Sequence, residues 1–379
     1  VSPAPGPAGR SLVVCSLEPW DEVWRRNQFL VAGLLRRDPE LRVLFVEPPA
    51  DPVYEAASRR RPRRGRGLVR GSQFEGRLVR LQLTKWVPRK LWPGADAWLA
   101  RRVQRAAVRL GLGAPVLWVN DPNWVPLLLR SGWPALYDIT DDWVEADRND
   151  REHDRLVGNE DVLMRTCGEV VVCSPGLAAT KGAVRRVELV PNGVELARYR
   201  TPVPRPADLP EHAALYVGTL HEDRLDVDLV RATAEGLAAA GSELVLVGPV
   251  ALATANVEAL SATPGVRLLG ARPNSQVPAY LQHAGALVVP HVVNAFTESL
   301  DPIKVYEYLA VGRPIVSTPV AGFRDQAGQP GVAVESGPAF VAATVAAARS
   351  DAPTVDRGTV ADWDDRVTAM QAVLDRLTG

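Results

Sequence analysis

The sequence predicts an α/β protein made of two Rossmann-like, doubly wound domains that face each other across a cleft. Three observations carry this. Short β-branched apolar runs alternate with helix-period segments along the whole chain, the pattern of βαβ units on a parallel sheet. The pattern breaks at Val190-Pro191-Asn192-Gly193-Val194 and at the proline-rich stretch 201–210, then restarts, as turn and linker chemistry requires. A length of 379 residues suits roughly two domains at about 150 residues each. Ligands of such sheets bind beyond the carboxyl ends of the strands, where loops of both domains are expected to face the cleft.

The elements follow in order. Strands are expected at 11–17, 42–46, 116–119, 135–139 and 169–173, with helices over 24–36 and 95–110 and a long arginine-rich excursion between the second strand and the second helix. The second half gives strands at 214–217, 243–247, 266–269, 286–289 and 315–318, and helices over 227–239, 275–284 and 302–311. A last helix is expected over 363–377, carrying Trp363 and Arg366.

Composition excludes several classes. The 44 basic and 44 acidic side chains cancel, so global charge points to no nucleic acid partner. No apolar run reaches the ~18 to 20 residues of a membrane span, and the N-terminal stretch lacks the charged start and apolar core of a signal peptide. A cytoplasmic protein is the expectation. Cys15, Cys167 and Cys173 show no CxxC spacing and read as buried thiols in a reducing compartment. No GxGxxG follows the first strand and no GxxxxGK occurs, which disfavours a dinucleotide enzyme and a P-loop NTPase. The zero net charge hides an asymmetry. Residues 1–190 hold 30 basic and 23 acidic side chains, a balance of +7, and the rest hold 14 and 21, a balance of −7. Six positives fall in one run, Arg59, Arg60, Arg61, Arg63, Arg64 and Arg66: a solvated loop, or a contact for anionic headgroups or phosphates.

Residues 298–322 read ESLDPIKVYEYLAVGRPIVSTPVAG. Asp301 suits an N-cap, Pro302 the first helical position and Gly312 the left-handed position past the end, with Pro314 blocking continuation. The N-terminus of such a helix offers free N–H groups and partial positive charge. Lys304 and Glu307, three apart, share a face. A cation in the first turn and a carboxylate one turn on suit the diphosphate and ribose of a sugar nucleotide; a surface ion pair is the plain alternative.

The order of VPNGVE at 190–195, YVGTLHEDR at 216–224, LVLVGP at 244–249, GVRLLG at 265–270 and this helix followed by GRPIVST resembles the retaining sugar-nucleotide glycosyltransferases of the GT-B fold, family four in particular. The likeness covers about residues 165–325. PxKxxEYLAxGxP, with Tyr137-Asp138-Ile139-Thr140-Asp141-Asp142-Trp143, looks most like the teichuronic acid branch. The resemblance implies an acceptor-binding domain at 1–190, with a helix over about 361–379 packing back on it, and a nucleotide-sugar donor-binding domain at 191–360. It implies that Glu307 binds the donor ribose and that Gly218 and Thr219 let the backbone approach the diphosphate. Arg224 stands where the family usually has a lysine, and Lys304 substitutes for an arginine the family has in place of Thr219. Arg272 is a further candidate for the nucleotide. It implies no metal and no cofactor beyond the donor.

Two further departures from the family concern the catalytic groups. The usual pair of glutamates lies eight apart, but eight before Glu307 is Ser299, with Glu298 next to it. Either Glu298 reaches the donor sugar as a catalytic carboxylate, or Ser299 and Asp301 make that contact. The N-terminal family histidine is missing, and Asp141 stands at the matching strand end, where it would orient the acceptor hydroxyl or take its proton. A retaining front-face transfer would use the leaving phosphate as base; an inverting route would use Asp141.

Nine of ten tryptophans lie in the first half. Core packing accounts for most; Trp20 with Asp21 is the acceptor-site candidate, and 86–92, with Lys85, Arg89 and Lys90, reads as an interfacial patch or an ordinary basic loop. The expected partners are a nucleotide sugar, a glycan, lipid-linked or small-molecule acceptor, and the inner face of a membrane, with no nucleic acid. The competing readings are a GT-B epimerase acting on the sugar nucleotide and an inactive GT-B partner subunit.

Overall fold

A computed structural model describes residues 11–22, 24–59, 61–140, 150–294, 297–298, 300–349 and 360–378. The chain divides into two units, Val1–Pro191 with Trp363–Gly379, and Asn192–Asp362.

The first unit is built on eight strands: β1 Ser11–Cys15, β2 Arg42–Val46, β3 Gly67–Arg70, β4 Leu78–Gln82, β5 Val116–Val119, β6 Ala135–Ile139, β7 Glu169–Val172 and β8 Glu188–Leu189. Their order is β3-β4-β2-β1-β5-β6-β7-β8, and all pair parallel except β3 with β4. A parallel sheet is covered on both faces, which is why β1, β2 and β5 run apolar without alternation from Leu12, Val43 and Val116 onward. The arginine-rich excursion is more ordered than the sequence suggests. It supplies β3, the antiparallel edge, and β4, because Leu78, Val79 and Leu81 reach the core while the half-buried Arg80 donates to the Trp20 carbonyl at 3.1 Å. Cys15, Cys167 and Cys173 are buried thiols outside any disulfide, and burial pushes the Cys167 thiol up to about 12.

The Trp363–Thr378 helix packs on the Arg26–Arg37 helix. Trp363 stacks on Phe29 with ring centroids 4.8 Å apart, and Arg37 donates to Thr368 Oγ1 at 2.7 Å.

The second unit carries β9 Ala214–Val217, β11 Leu244–Val247, β13 Val266–Gly270, β14 Ala286–Val289, β15 Ile315–Ser317 and β16 Val332–Val334 in the order β13-β11-β9-β14-β15-β16, all parallel. A small parallel pair, β10 Leu220–His221 and β12 Val250–Ala251, extends from the carboxyl ends of β9 and β11. Helices Val227–Ala239 and Gly337–Arg349 cover one face, and Val277–His283 and Ile303–Val311 the other. The doubly wound parallel architecture expected from the alternating pattern is what both units show. Among the described residues no helix is long and apolar enough to cross a membrane.

Candidate active site

In the second unit β9 is flanked by β11 on one side and β14 on the other, so the strand order reverses there. Such a switch point opens a crevice at the carboxyl ends, the usual ligand position. The chain leaves β9 through Gly218-Thr219, β11 through Gly248 and β14 through Pro290-His291. Gly218 and Gly248 have φ of 149° and 152°, open to glycine alone. A Cβ at 248 would sit 2.0 Å from the Gly218 carbonyl oxygen, and one at 218 would sit 2.6 Å from Lys304 Nζ. Bare backbone at both turns is what lets Lys304 come down onto the end of β9.

Lys304 lies in the first turn of the Ile303–Val311 helix. The helix begins one residue later than the sequence predicts: Pro302 is the N-cap, and no side chain caps the first N–H groups. Asp301 is therefore not the cap. Its carboxylate accepts from the Asn192 N–H at 2.5 Å and from the Tyr306 hydroxyl at 2.8 Å, while the Asn192 amide donates to the Asp301 carbonyl at 2.7 Å. Asp301 thus ties the Pro-Asn-Gly turn to the helix start. The far end follows the sequence, with Gly312 left-handed at φ 80°.

Burial lowers the Lys304 ammonium to about 8, with Glu307 opposing the shift and Arg224 adding to it. Its Nζ stands 5.5 Å from the centroid of the Tyr216 ring. Glu307, one turn on, accepts from the Tyr199 hydroxyl at 2.5 Å. Tyr199, on the Leu196–Arg200 helix, is 4% exposed; burial, then the Glu307 charge, raises its phenol far above the ordinary range, so it stays a donor. Arg224 is half-buried in the turn after β10, and its carbonyl accepts from Val292 N–H at 2.8 Å beside the Leu225–His291 bridge. His291 is 5% exposed with Nε2 3.1 Å from the Tyr216 hydroxyl. Burial first, then Lys304 and Arg224, hold its pKa well below the usual value, so the ring is neutral.

The structure therefore brings Gly218, Thr219, Arg224, Lys304 and Glu307 to one corner of the second unit. Sequence reasoning missed Tyr199, Tyr216, Gly248 and His291. The first tyrosine carries no local signal, but Tyr216 opens the same YVGT run, and His291 and Gly248 occupy the strand-end position that flagged Gly218. Arg272 lies past β13, the edge strand, braced by Asp208 at 2.8 Å, the Tyr280 hydroxyl at 3.0 Å and the Leu269 carbonyl at 2.6 Å. Glu298 pairs with Arg324 at 2.5 Å. Ser299 and Asp141 lie outside the described residues.

In the first unit Trp20 is 3% exposed and packs edge-on against Phe45 at 5.0 Å, so its indole is core and not an acceptor contact. Asp21 is exposed, 3.8 Å from Arg25. Asp138, the first acid of the YDxxDD run, is fully buried: it pairs with Arg26 at 3.1 Å and accepts from the Trp118 indole at 3.1 Å.

Residues 211–350 match the family model described as glycosyl transferases group 1. No curated protein matches the chain in sequence. Solved structures match in fold at low identity. Anabaena HepE in complex with UDP and glucose gives a TM-score of 0.64 at 12% identity, over 97% of this chain and 100% of that one. The UDP-forming trehalose-phosphate synthase of Burkholderia xenovorans gives 0.60 at 15%, over 98% and 96%. The E. coli trehalose-6-phosphate structure bound with UDP-2-fluoro glucose gives 0.61 at 13%, over 97% and 95%. Fold and matched domain define the class: a glycosyltransferase of the GT-B type.

Proposed function

We propose that the chain transfers a sugar from a UDP-sugar to an acceptor hydroxyl, with retention and without a metal, and that the second unit holds the donor. One arrangement supports this: bare Gly218 backbone at the switch point beneath Lys304, with Arg224 in the same corner. An uncapped helix start lies beside a carboxylate fixed by Tyr199. Two cations and free N–H groups suit a diphosphate. Glu307, held through one oxygen, suits ribose hydroxyls with the other. Uridine is chosen because HepE is solved with UDP and the Burkholderia synthase is described as UDP-forming. Arg272 is assigned to the nucleotide side, Glu298 or Ser299 to the donor sugar, and Asp21 and Asp141 to the acceptor.

In the transfer the anomeric C–O bond breaks and its electron pair goes to the diphosphate. The acceptor oxygen bonds to the anomeric carbon, and its proton passes to a phosphate oxygen. Charge builds on the diphosphate, so Arg224, Lys304 and the helix N–H groups stabilise the transition state more than the ground state. Losing one such donor costs roughly 10² to 10³ in rate. We place the chain nearest the teichuronic acid branch of family four, acting in the cytoplasm on an envelope glycan, lipid-linked sugar or small natural product.

Calorimetric titration with UDP-, GDP- and dTDP-sugars, followed by NMR of the turnover products, tests this. UDP-sugar binding, turnover that chelator leaves unchanged and a product of retained configuration are expected. Absent nucleotide binding would leave the inactive-subunit reading, release of an epimerised nucleotide without acceptor would establish the epimerase, and an inverted product would overturn retention.

A further inference from the structure

The first unit carries a face that the donor reading does not use. Among the described residues the exposed large aromatics are Tyr54, Trp86 and Trp92, at 64%, 51% and 39%, and all three lie between residues 53 and 92. Val53 at 42% and Leu91 at 77% join them. Side-chain and backbone contacts knit these pieces into one surface. Lys85 pairs with Asp51 at the start of the Pro52–Ala57 helix, and Arg63 N–H donates to Glu55 at 2.5 Å. Gly65 N–H donates to Thr84 Oγ1 at 2.9 Å, and the Arg64 guanidinium lies 5.0 Å over the Trp86 ring. A cavity of about 70 Å³ is lined by Lys85, Trp86, Val87, Trp92, Trp98 and Leu99. In the segments these contacts join, Arg59, Arg61 and Lys90 are exposed and make no ion pair among the described residues.

We propose that this face docks on an anionic phospholipid bilayer, with the arginines on lipid phosphates and Trp86, Leu91 and Trp92 entering the headgroup layer. Charge complementarity selects the partner: exposed cations share these segments with the apolar side chains, while the chain as a whole is neutral. Aliphatic exposure selects a bilayer over a nucleic acid. Leu91 and Val53 have no role in stacking on bases, but each apolar carbon they bury in lipid is favourable, and tryptophan at the boundary satisfies its N–H in the wet layer. The proposal is independent of the donor site, which lies in the other unit.

Flotation of the full chain with phosphatidylcholine vesicles, with and without phosphatidylglycerol, tests it. The expected result is binding to the anionic vesicles that high salt reverses, and little to phosphatidylcholine alone. Arg59→Glu with Arg61→Glu, and separately Trp86→Ser with Leu91→Ser, should each lower the bound fraction roughly tenfold or more. Circular dichroism and UDP-sugar binding should stay at wild type in both double variants. Wild-type protein that stays in solution with both vesicle types overturns the proposal, as does equal binding by the variants. Binding to RNA with no binding to vesicles also overturns it, in favour of a phosphate-rich polymer.

Discussion

The Lys304 ammonium fills the space that a side chain on residue 218 would take: a Cβ there would lie 2.6 Å from Nζ and 2.7 Å from Cε. Glycine and lysine are thus one device, spaced 86 residues apart in sequence, that leaves the end of β9 bare and sets a cation over it. Gly248 backs the same turn from β11, but there the obstacle is the Gly218 carbonyl, which cannot swing away.

The two glycines should therefore fail differently. Gly218→Ala pushes on the end of a flexible side chain, so it should cost donor affinity about tenfold or more with a modest loss of stability from the φ of 149°. Gly248→Ala pushes on backbone and should cost stability by roughly 2 to 4 kcal/mol. Denaturant melts beside calorimetric UDP titrations read both; a larger affinity loss in Gly248→Ala at unchanged stability would contradict the geometry.

Lys304 gives a pH signature. With its ammonium lowered to about 8 from an ordinary 10.5, an anionic donor binds the protonated form, so affinity should hold below pH 8 and fall as pH rises through it. The same shift works against the empty fold. Between 8 and 10.5 the unfolded chain carries the extra proton, so stability should rise with pH across that window, by up to about 3 kcal/mol. Lys304→Met should accordingly melt higher than wild type at pH 7 yet bind UDP-sugar much more weakly. Lowered stability together with wild-type affinity would remove Lys304 from the donor site. Glu307→Ala should weaken donor binding by about 1 to 3 kcal/mol without unfolding the unit.

His291 predicts acid sensitivity. Its folded pKa is depressed well below 6.5, so below 6.5 the unfolded chain takes up a proton that the buried ring does not. Stability should fall by about 1.4 kcal/mol per pH unit from 6.5 down to the folded pKa. His291→Gln should flatten the slope in thermal melts from pH 7 to 5; an unchanged slope would mean that the ring is protonated in the fold.

Much of this was legible. Strand ends, the Asn-Gly boundary and the Pro-x-Lys-x-x-Glu helix are local patterns, and local patterns survive reading one residue at a time. What escaped were relations across the fold. Tyr199 reaches Glu307 over 108 positions, and Asp301 is drawn from the helix cap by Asn192, 109 positions away. Helix chemistry alone assigns Asp301 to capping; a competing backbone N–H in the right place overrides it. Trp20 with Asp21 is an acceptor-site candidate in sequence because adjacency carries no burial, and the packing of Phe45 and Trp24 on Trp20 places its indole in the core.

The YDxxDD run makes the same point with the largest energetic consequence. It reads as a set of acids at a strand end, but Asp138 sits within β6, with its side chain 0% exposed against Arg26 at 5%. Arg26 Nε adds a second bond to the carboxylate at 3.3 Å, and two further groups hold the pair: the Trp118 indole on the carboxylate at 3.1 Å and the Pro191 carbonyl on the guanidinium at 3.2 Å. A pair so fully bonded is costly to break from one side, because the survivor keeps a buried charge. Asp138→Ala should cost about 3 to 5 kcal/mol by strand-core denaturation, and Arg26→Met a similar amount. The double variant should recover most of the loss, since replacing both charges by apolar groups removes the uncompensated ion. A double-mutant cycle on the full chain measures this directly: strictly additive losses would mean that the two side chains act separately, and that Arg26 serves Pro191 rather than Asp138.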